Sequence, residues 1–183
     1  MSAPFGIFQN KTSQQFFDEQ IYVFSPKGEL YTLPVDSTPV DFAYTIHTDI
    51  GDRCSGAKVN GLDVPLKTKL FSGDQVEIIT SENVKPNRNW LNFVETSKAK
   101  SKIKSSLNDE KKKIASDGKE ILERKLKQFK IKLNDKVSGQ MMKFFKINAS
   151  NDLFYNVGTG DLDNKKIKKK WIFKSVNSRQ KKT

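Results

Sequence analysis

Few side chains in this sequence could do chemistry. There is one histidine, His47, and one cysteine, Cys54. A metal site built on nitrogen and sulfur needs several such residues at short spacing, so no zinc-type cluster can be assembled. Asp41, Asp49 and Asp52 match no calcium loop, and Asp41 is explained as a helix cap. No Gly-rich phosphate loop and no His-Asp metal pair occurs, so neither a cofactor nor catalysis is expected. Binding chemistry remains. An imidazole can stack on an unpaired base and hydrogen-bond its edge, which makes His47, beside Thr48 and Asp49, the first candidate. Its plain alternative is a surface or capping histidine with no ligand. The second candidate is the series Arg88, Lys98, Lys100, Lys102 and Lys104, whose charges alternate with Ser, Ala and Ile rather than with acids. Each phosphate such a series met would add to the salt dependence of binding. Lysines at every second position cannot share one helical face, so some are bystanders, and a solvated helix face is the competing reading.

The formal charge of +12 is unevenly spread. Residues 1–84 hold 6 Lys/Arg against 11 Asp/Glu, residues 85–133 hold 15 against 6, residues 134–164 hold 3 against 4, and residues 165–183 hold 9 against none. A phosphate-binding surface should therefore begin near Lys85. His47 lies in the acidic part and would need a basic neighbour, for which Arg53, Lys58 or the segment after Lys85 are the choices. With 183 residues, 36% hydrophobic, the chain has room for one ordinary domain or two small ones. No apolar run reaches the length of a membrane span, no signal peptide opens the chain, and a lone cysteine forms no internal disulfide; a cytoplasmic protein with no membrane partner is expected.

The elements that must position these residues follow from local patterning. Residues 1–20 lack periodicity and read as a linker. Ile21–Phe24 and Leu30–Leu33 flank Ser25-Pro-Lys-Gly28 and predict a hairpin. Thr38-Pro39 followed by Asp41 predicts a helix start, with an apolar spacing running to His47 over at most about three turns and Gly51 left-handed after it. Asn60-Gly61 marks a second hairpin, and Gln75–Thr80 a further strand. The order β-β-α-β-β-β within so short a span predicts an α+β chain that opens with a β-grasp, ubiquitin-like domain over residues 21–81. Residues 82–95 read as a connector stapled to the sheet by Trp90 and Phe93. Residues 96–163 read as mainly α-helical, with a long basic helix that Gly118 could bend or split and two shorter helices after it. Residues 164–183 read as a basic tail, disordered unless bound.

Several stretches together resemble the TGS domain of RelA/SpoT alarmone enzymes: Val23-Phe-Ser-Pro-Lys-Gly28, Thr38-Pro-Val-Asp-Phe-Ala-Tyr44, Ile46-His-Thr-Asp-Ile-Gly51, Gly56-Ala-Lys-Val-Asn-Gly61 and Gly73-Asp-Gln-Val-Glu-Ile-Ile79. The resemblance continues through Pro86-Asn-Arg-Asn-Trp-Leu-Asn92, Thr96-Ser-Lys-Ala-Lys-Ser-Lys-Ile103 and Gly118-Lys-Glu-Ile-Leu-Glu-Arg124, which look like that family's connector and helical regulatory domain. It implies a parent that moves pyrophosphate from ATP to GTP or GDP and often hydrolyses the product, with catalytic domains N-terminal to TGS. Only about 20 residues precede Ile21 here, so the resemblance implies a non-catalytic regulatory fragment, a truncated or split gene. It also implies that His47 is the residue meeting the 3′ CCA end of uncharged tRNA on the ribosome. Two partners are then expected: uncharged tRNA, with Arg53, Lys58, Arg88, Lys98, Lys100 and Lys102 as its further contacts, and the catalytic half of an alarmone enzyme. An alternative is a protein-interaction module that docks on a separate synthetase or hydrolase through an exposed Met141, Phe144 and Phe145 face.

Overall fold

The computed structural model describes residues 20–162 and Ile167. The assignments of a linker to residues 1–20 and a tail to residues 164–183 fall, apart from Gln20 and Ile167, outside the described residues. Strands β1 (Gln20–Phe24) and β2 (Leu30–Pro34) form the first hairpin, with Ile21 opposite Leu33 and Val23 opposite Tyr31. Alternation puts Ile21, Val23 and Leu33 on one face, where all three are buried. The turn closes through the Gly28 N–H donating to the Ser25 carbonyl at 2.9 Å, with Gly28 left-handed at φ 81°.

Helix α1 (Pro39–Ile46) lies next, followed by the short α2 (Thr48–Asp52), β3 (Cys54–Val59), β4 (Leu62–Val64) and β5 (Val76–Thr80). Asn60 and Gly61 both take positive φ, 52° and 80°, as a two-residue hairpin turn requires. Both β4 and β5 pair antiparallel with β3. A parallel bridge from Phe24 to Gln75 and a 2.8 Å hydrogen bond from the Phe24 N–H to the Asp74 carbonyl join the hairpin to this second sheet. Five strands over one helix, with the first beside the last, make the expected β-grasp. Val40, Phe42, Ala43 and Tyr44 of α1 are wholly buried. Phe42 packs with Ile21, Val23, Leu33, Leu70 and Val76.

Two local expectations change. The helix does not run through His47, whose extended backbone (φ −159°, ψ 146°) ends α1 and starts α2. Gly51 is not left-handed but sits inside α2, where a Cβ would run into the Tyr44 ring. Close approach, not turn geometry, is what requires glycine there.

Residues Arg88–Asn92 form a 3-10 turn, and α3 then runs unbroken from Ser97 to Lys127, followed by α4 (Asp135–Phe145) and α5 (Ser150–Gly158). The chain divides into two compact units between Leu107 and Asn108, inside α3. The first unit therefore extends past the β-grasp: Trp90, Val94, Ala99 and Ile103 pack with Val40, Ala43, Tyr44 and Cys54. Trp90 thus staples the connector onto the α1 side of the domain. In the second unit Leu122 and Leu126 of α3 pack with Val137, Met141, Leu153, Val157, Leu162 and Ile167. Gly118 neither bends nor splits α3. A Cβ there would overlap the carbonyl of Phe154 and stand 2.7 Å from the nitrogen of Gly158, while one at Gly158 would reach the carbonyl of Ile114. The two glycines let the backbones of α3 and α5 touch.

Among the described residues no helix is long and apolar enough to cross a membrane. Cys54 is fully buried, and burial pushes its thiol from the ordinary 9.0 up to about 11. Because the folded value is raised, the neutral thiol contributes stability that is complete below about pH 9 and lost as pH rises through about 11. Tyr44 is raised too, first by burial and then by its hydrogen bond to Asp52, and acts in the same direction. Urea unfolding of the first unit should therefore weaken between pH 9 and 11, by roughly 3 kcal/mol for a shift of this size in Cys54. A Cys54→Ala variant should show a shallower alkaline loss; an equal slope would remove the thiol as its source.

Candidate nucleic-acid interface at the α1–α2 corner

His47 owes its place to two helix ends meeting. Its N–H donates to the Ala43 carbonyl at 3.1 Å as the last bond of α1, and its Nδ1 accepts the Asp49 N–H at 3.2 Å as the cap of α2. An Nδ1 that accepts leaves the proton of the neutral ring on Nε2. The exposed imidazole thus presents one N–H donor and its faces to solvent. The capping role offered as the plain alternative is real, and it fixes the tautomer without using the outer nitrogen.

Arg53 lies one turn on, at the end of α2, and its guanidinium pairs with the Asp49 carboxylate. The structure so gathers His47, Asp49 and Arg53 at one corner. Lys98 joins them from α3: its Nζ donates at 3.2 Å to the carbonyl of Thr45, in the last turn of α1.

The remaining candidates are dispersed. Lys58 sits in the sheet between Asp63 of β4 and Glu77 of β5, so its charge faces two acids across the ladder. Ala57 and Val59 on either side turn to the core, which sends Lys58 to the opposite face of the sheet from α1. Arg88 opens the 3-10 turn and is exposed. Along α3 the buried Ala99 and Ile103 define the packed face, and the lysines fall on its two flanks. Lys98 and Lys102 share the flank that reaches α1; Lys100 and Lys104 share the other, where Lys100 pairs with Glu95 at 3.6 Å.

Asp41 does more than cap one helix. Asp41 is fully buried, and its carboxylate accepts the Thr38 N–H at 3.0 Å and the Thr38 hydroxyl at 2.9 Å, as a cap should. It also accepts the Glu95 N–H at 3.0 Å, the Thr96 N–H at 2.7 Å and the Thr96 hydroxyl at 2.8 Å. Thr96 in turn caps α3 by accepting the Ala99 N–H at 3.2 Å. One carboxylate therefore serves the starts of two helices whose sequences lie 55 residues apart. The capping signal was visible in the sequence; its second client was not.

The Met141, Phe144 and Phe145 docking face needs correction. Met141 is wholly buried in the core of the helical unit, and Phe144 and Phe145 pack against that core with their rings edge to face at 5.0 Å. Their apolar surface holds α4 in place, and no exposed face is formed by the three together. Two open grooves mark the same unit, about 400 Å³ beside Lys127, Lys130 and Ile131, and about 550 Å³ between Lys119, Asn134 and Phe154. Among the described residues no group of three or more His, Cys, Asp or Glu could hold a metal ion.

Comparison with known proteins places the class first. Residues 21–80 match the TGS domain, and residues 108–170 match the RelA/SpoT AH domain. The chain is a TGS domain followed by a RelA/SpoT AH domain, and belongs to the RelA/SpoT family. It is 52% identical over 122 residues, 66% of its length, to a guanosine-3′,5′-bis(diphosphate) 3′-pyrophosphohydrolase of Aquifex aeolicus, of which it covers 17%. To GTP pyrophosphokinases it is 43% identical over 138 residues in Myxococcus xanthus, 74% of this chain and 18% of the relative. In Escherichia coli K12 the figures are 39% over 163 residues, 86% of this chain and 22% of the relative. The chain thus spans about a fifth of the length of the curated relatives it matches. The helical match begins at Asn108, the residue at which the second compact unit begins.

Proposed function

We propose that this chain is a non-catalytic regulatory part of a (p)ppGpp synthetase or hydrolase of the stringent response, and that its TGS domain senses uncharged tRNA by its 3′ end. The observation that carries this reading is the state of His47: exposed, its Nδ1 bound at 3.2 Å by the Asp49 N–H, its Nε2 left to donate, with Lys98 held at the carbonyl of Thr45 and Arg53 paired to Asp49. A single-stranded end offers unstacked bases that such a ring can cover and hydrogen-bond, and phosphates that the cations can meet. An aminoacyl group on the terminal ribose would crowd the same corner, which supports discrimination against charged tRNA. The names of the relatives support the alarmone context, and the family models match residues 21–80 as TGS and 108–170 as the AH domain.

The test is binding of deacylated and aminoacylated tRNA to the purified chain at several salt concentrations. A preference for deacylated tRNA that persists as salt rises is expected, because base reading does not release counterions. His47→Ala should weaken binding of deacylated tRNA by the worth of one base contact, about 1–3 kcal/mol or roughly 5- to 150-fold, and leave the salt slope unchanged. Equal affinity of the wild type for both tRNAs, or a folded His47→Ala that keeps the wild-type affinity and preference for deacylated tRNA, would sink the proposal.

A further inference from the structure

The charges around His47 do not by themselves welcome an RNA end. Asp49 and Arg53 cancel as a pair, and Asp52 accepts the Tyr44 hydroxyl at 2.8 Å. The last carbonyls of α1 carry the partial negative charge of a helix C-terminus, and that turn contains no basic residue of its own. The missing cation comes from another element. Lys98 reaches the Thr45 carbonyl from α3, and since its partner is a neutral carbonyl its positive charge is not cancelled by a carboxylate there. Its reach depends on where α3 starts, and that start is pinned by Asp41 through Glu95 and Thr96. Helix α1 is thus tied to α3 near both of its ends, by Asp41 in its first turn and Thr45 in its last.

We propose that the buried Asp41–Thr96 clamp is a positioning device that sets Lys98 beside His47 and so makes the corner accept the phosphates of a single-stranded RNA end. The proposal rests on the acceptor-end reading above and adds to it the element that tunes the charge. Asp41 and Thr96 touch no RNA in this arrangement; they act through Lys98.

Deacylated tRNA binding by the full chain across salt tests it. Lys98→Ala should lower the magnitude of the log–log salt slope by about 0.7, one single-strand phosphate contact. Thr96→Ala removes no charge, yet should lower the slope by a similar amount, and adding Lys98→Ala to it should lower the slope no further. Thr96→Ser, which keeps the hydroxyl, should restore the wild-type slope. A folded Thr96→Ala with the wild-type slope, or effects that add in the double variant, would overturn the proposal. If Thr96→Ala loses its helical circular dichroism, the same cycle is read on Asp41→Asn, which keeps an acceptor oxygen. His47→Ala in the same assay separates the two claims: unchanged discrimination there defeats acceptor-end reading, while the clamp still stands or falls on the slope.

Discussion

Gly118→Ala is expected to destabilise the helical unit by about 2–4 kcal/mol, although alanine is the better helix former. The propensity gain is about 1 kcal/mol. Against it stands a methyl group that would overlap the Phe154 carbonyl and crowd the Gly158 nitrogen at 2.7 Å, both backbone atoms that cannot rotate away. Relieving this contact means parting α3 from α5 along their crossing, which loosens the packing of Leu153 and Val157 on Leu122. Gly158→Ala should act in the same direction through the Ile114 carbonyl. Gly139, in the interior of α4, is the control, because a Cβ there meets nothing within 4 Å. Gly139→Ala should be neutral or stabilise by up to about 1 kcal/mol. Denaturant unfolding followed by circular dichroism reads both; a stabilised Gly118→Ala would mean that the helices do not meet at that residue.

The second large effect is expected at Asp41. Asp41→Ala leaves the N–H groups of Thr38, Glu95 and Thr96 and two threonine hydroxyls without their acceptor, around a carboxylate that is itself fully buried. The hydroxyls can turn elsewhere, but the backbone donors cannot, and each buried orphan costs about 1–3 kcal/mol. Loss of roughly 3–5 kcal/mol from the first unit follows, a large share of what a unit of this size has. Asp41→Asn should lose less, since one oxygen still accepts. Amide exchange at Glu95, Thr96 and Ala99 should quicken in either variant; unchanged protection there would show that the carboxylate is not the acceptor.

The sequence made the local events legible, because each has a local cause. Thr38-Pro39 with Asp41, Asn60-Gly61 and Ser25–Gly28 specify a helix start and two turns by chemistry that acts over a few residues, and all three occur. The break at His47 was hidden because the apolar spacing runs past it and no proline or glycine interrupts it. What decides it is a side chain serving as the cap of the next helix. Gly51 and Gly118 were misread for one reason: glycine signals freedom in a sequence, whereas here it makes room for a ring or a backbone brought from elsewhere in the fold. The same limit applies to the candidate site. His47 and Arg53 lie close in sequence and meet, but the recruitment of Lys98, and the setting apart of Lys58, depend on register and helix phase. Met141, Phe144 and Phe145 look available in the sequence because the core they pack with, Leu122 and Leu153 included, comes from other helices.

The cluster that joins Val40, Ala43, Tyr44 and Cys54 to Trp90, Val94, Ala99 and Ile103 separates two ideas of a domain. The stretch that recurs between proteins as a TGS module closes at residue 80, but the unit that packs together closes near Leu107. A polypeptide cut after Ser81 would leave one side of α1 wet and Asp41 with two donors in place of five. Any gene that borrowed the module at its recurring boundary would have to supply a substitute for the missing helix, or carry an aggregation-prone surface.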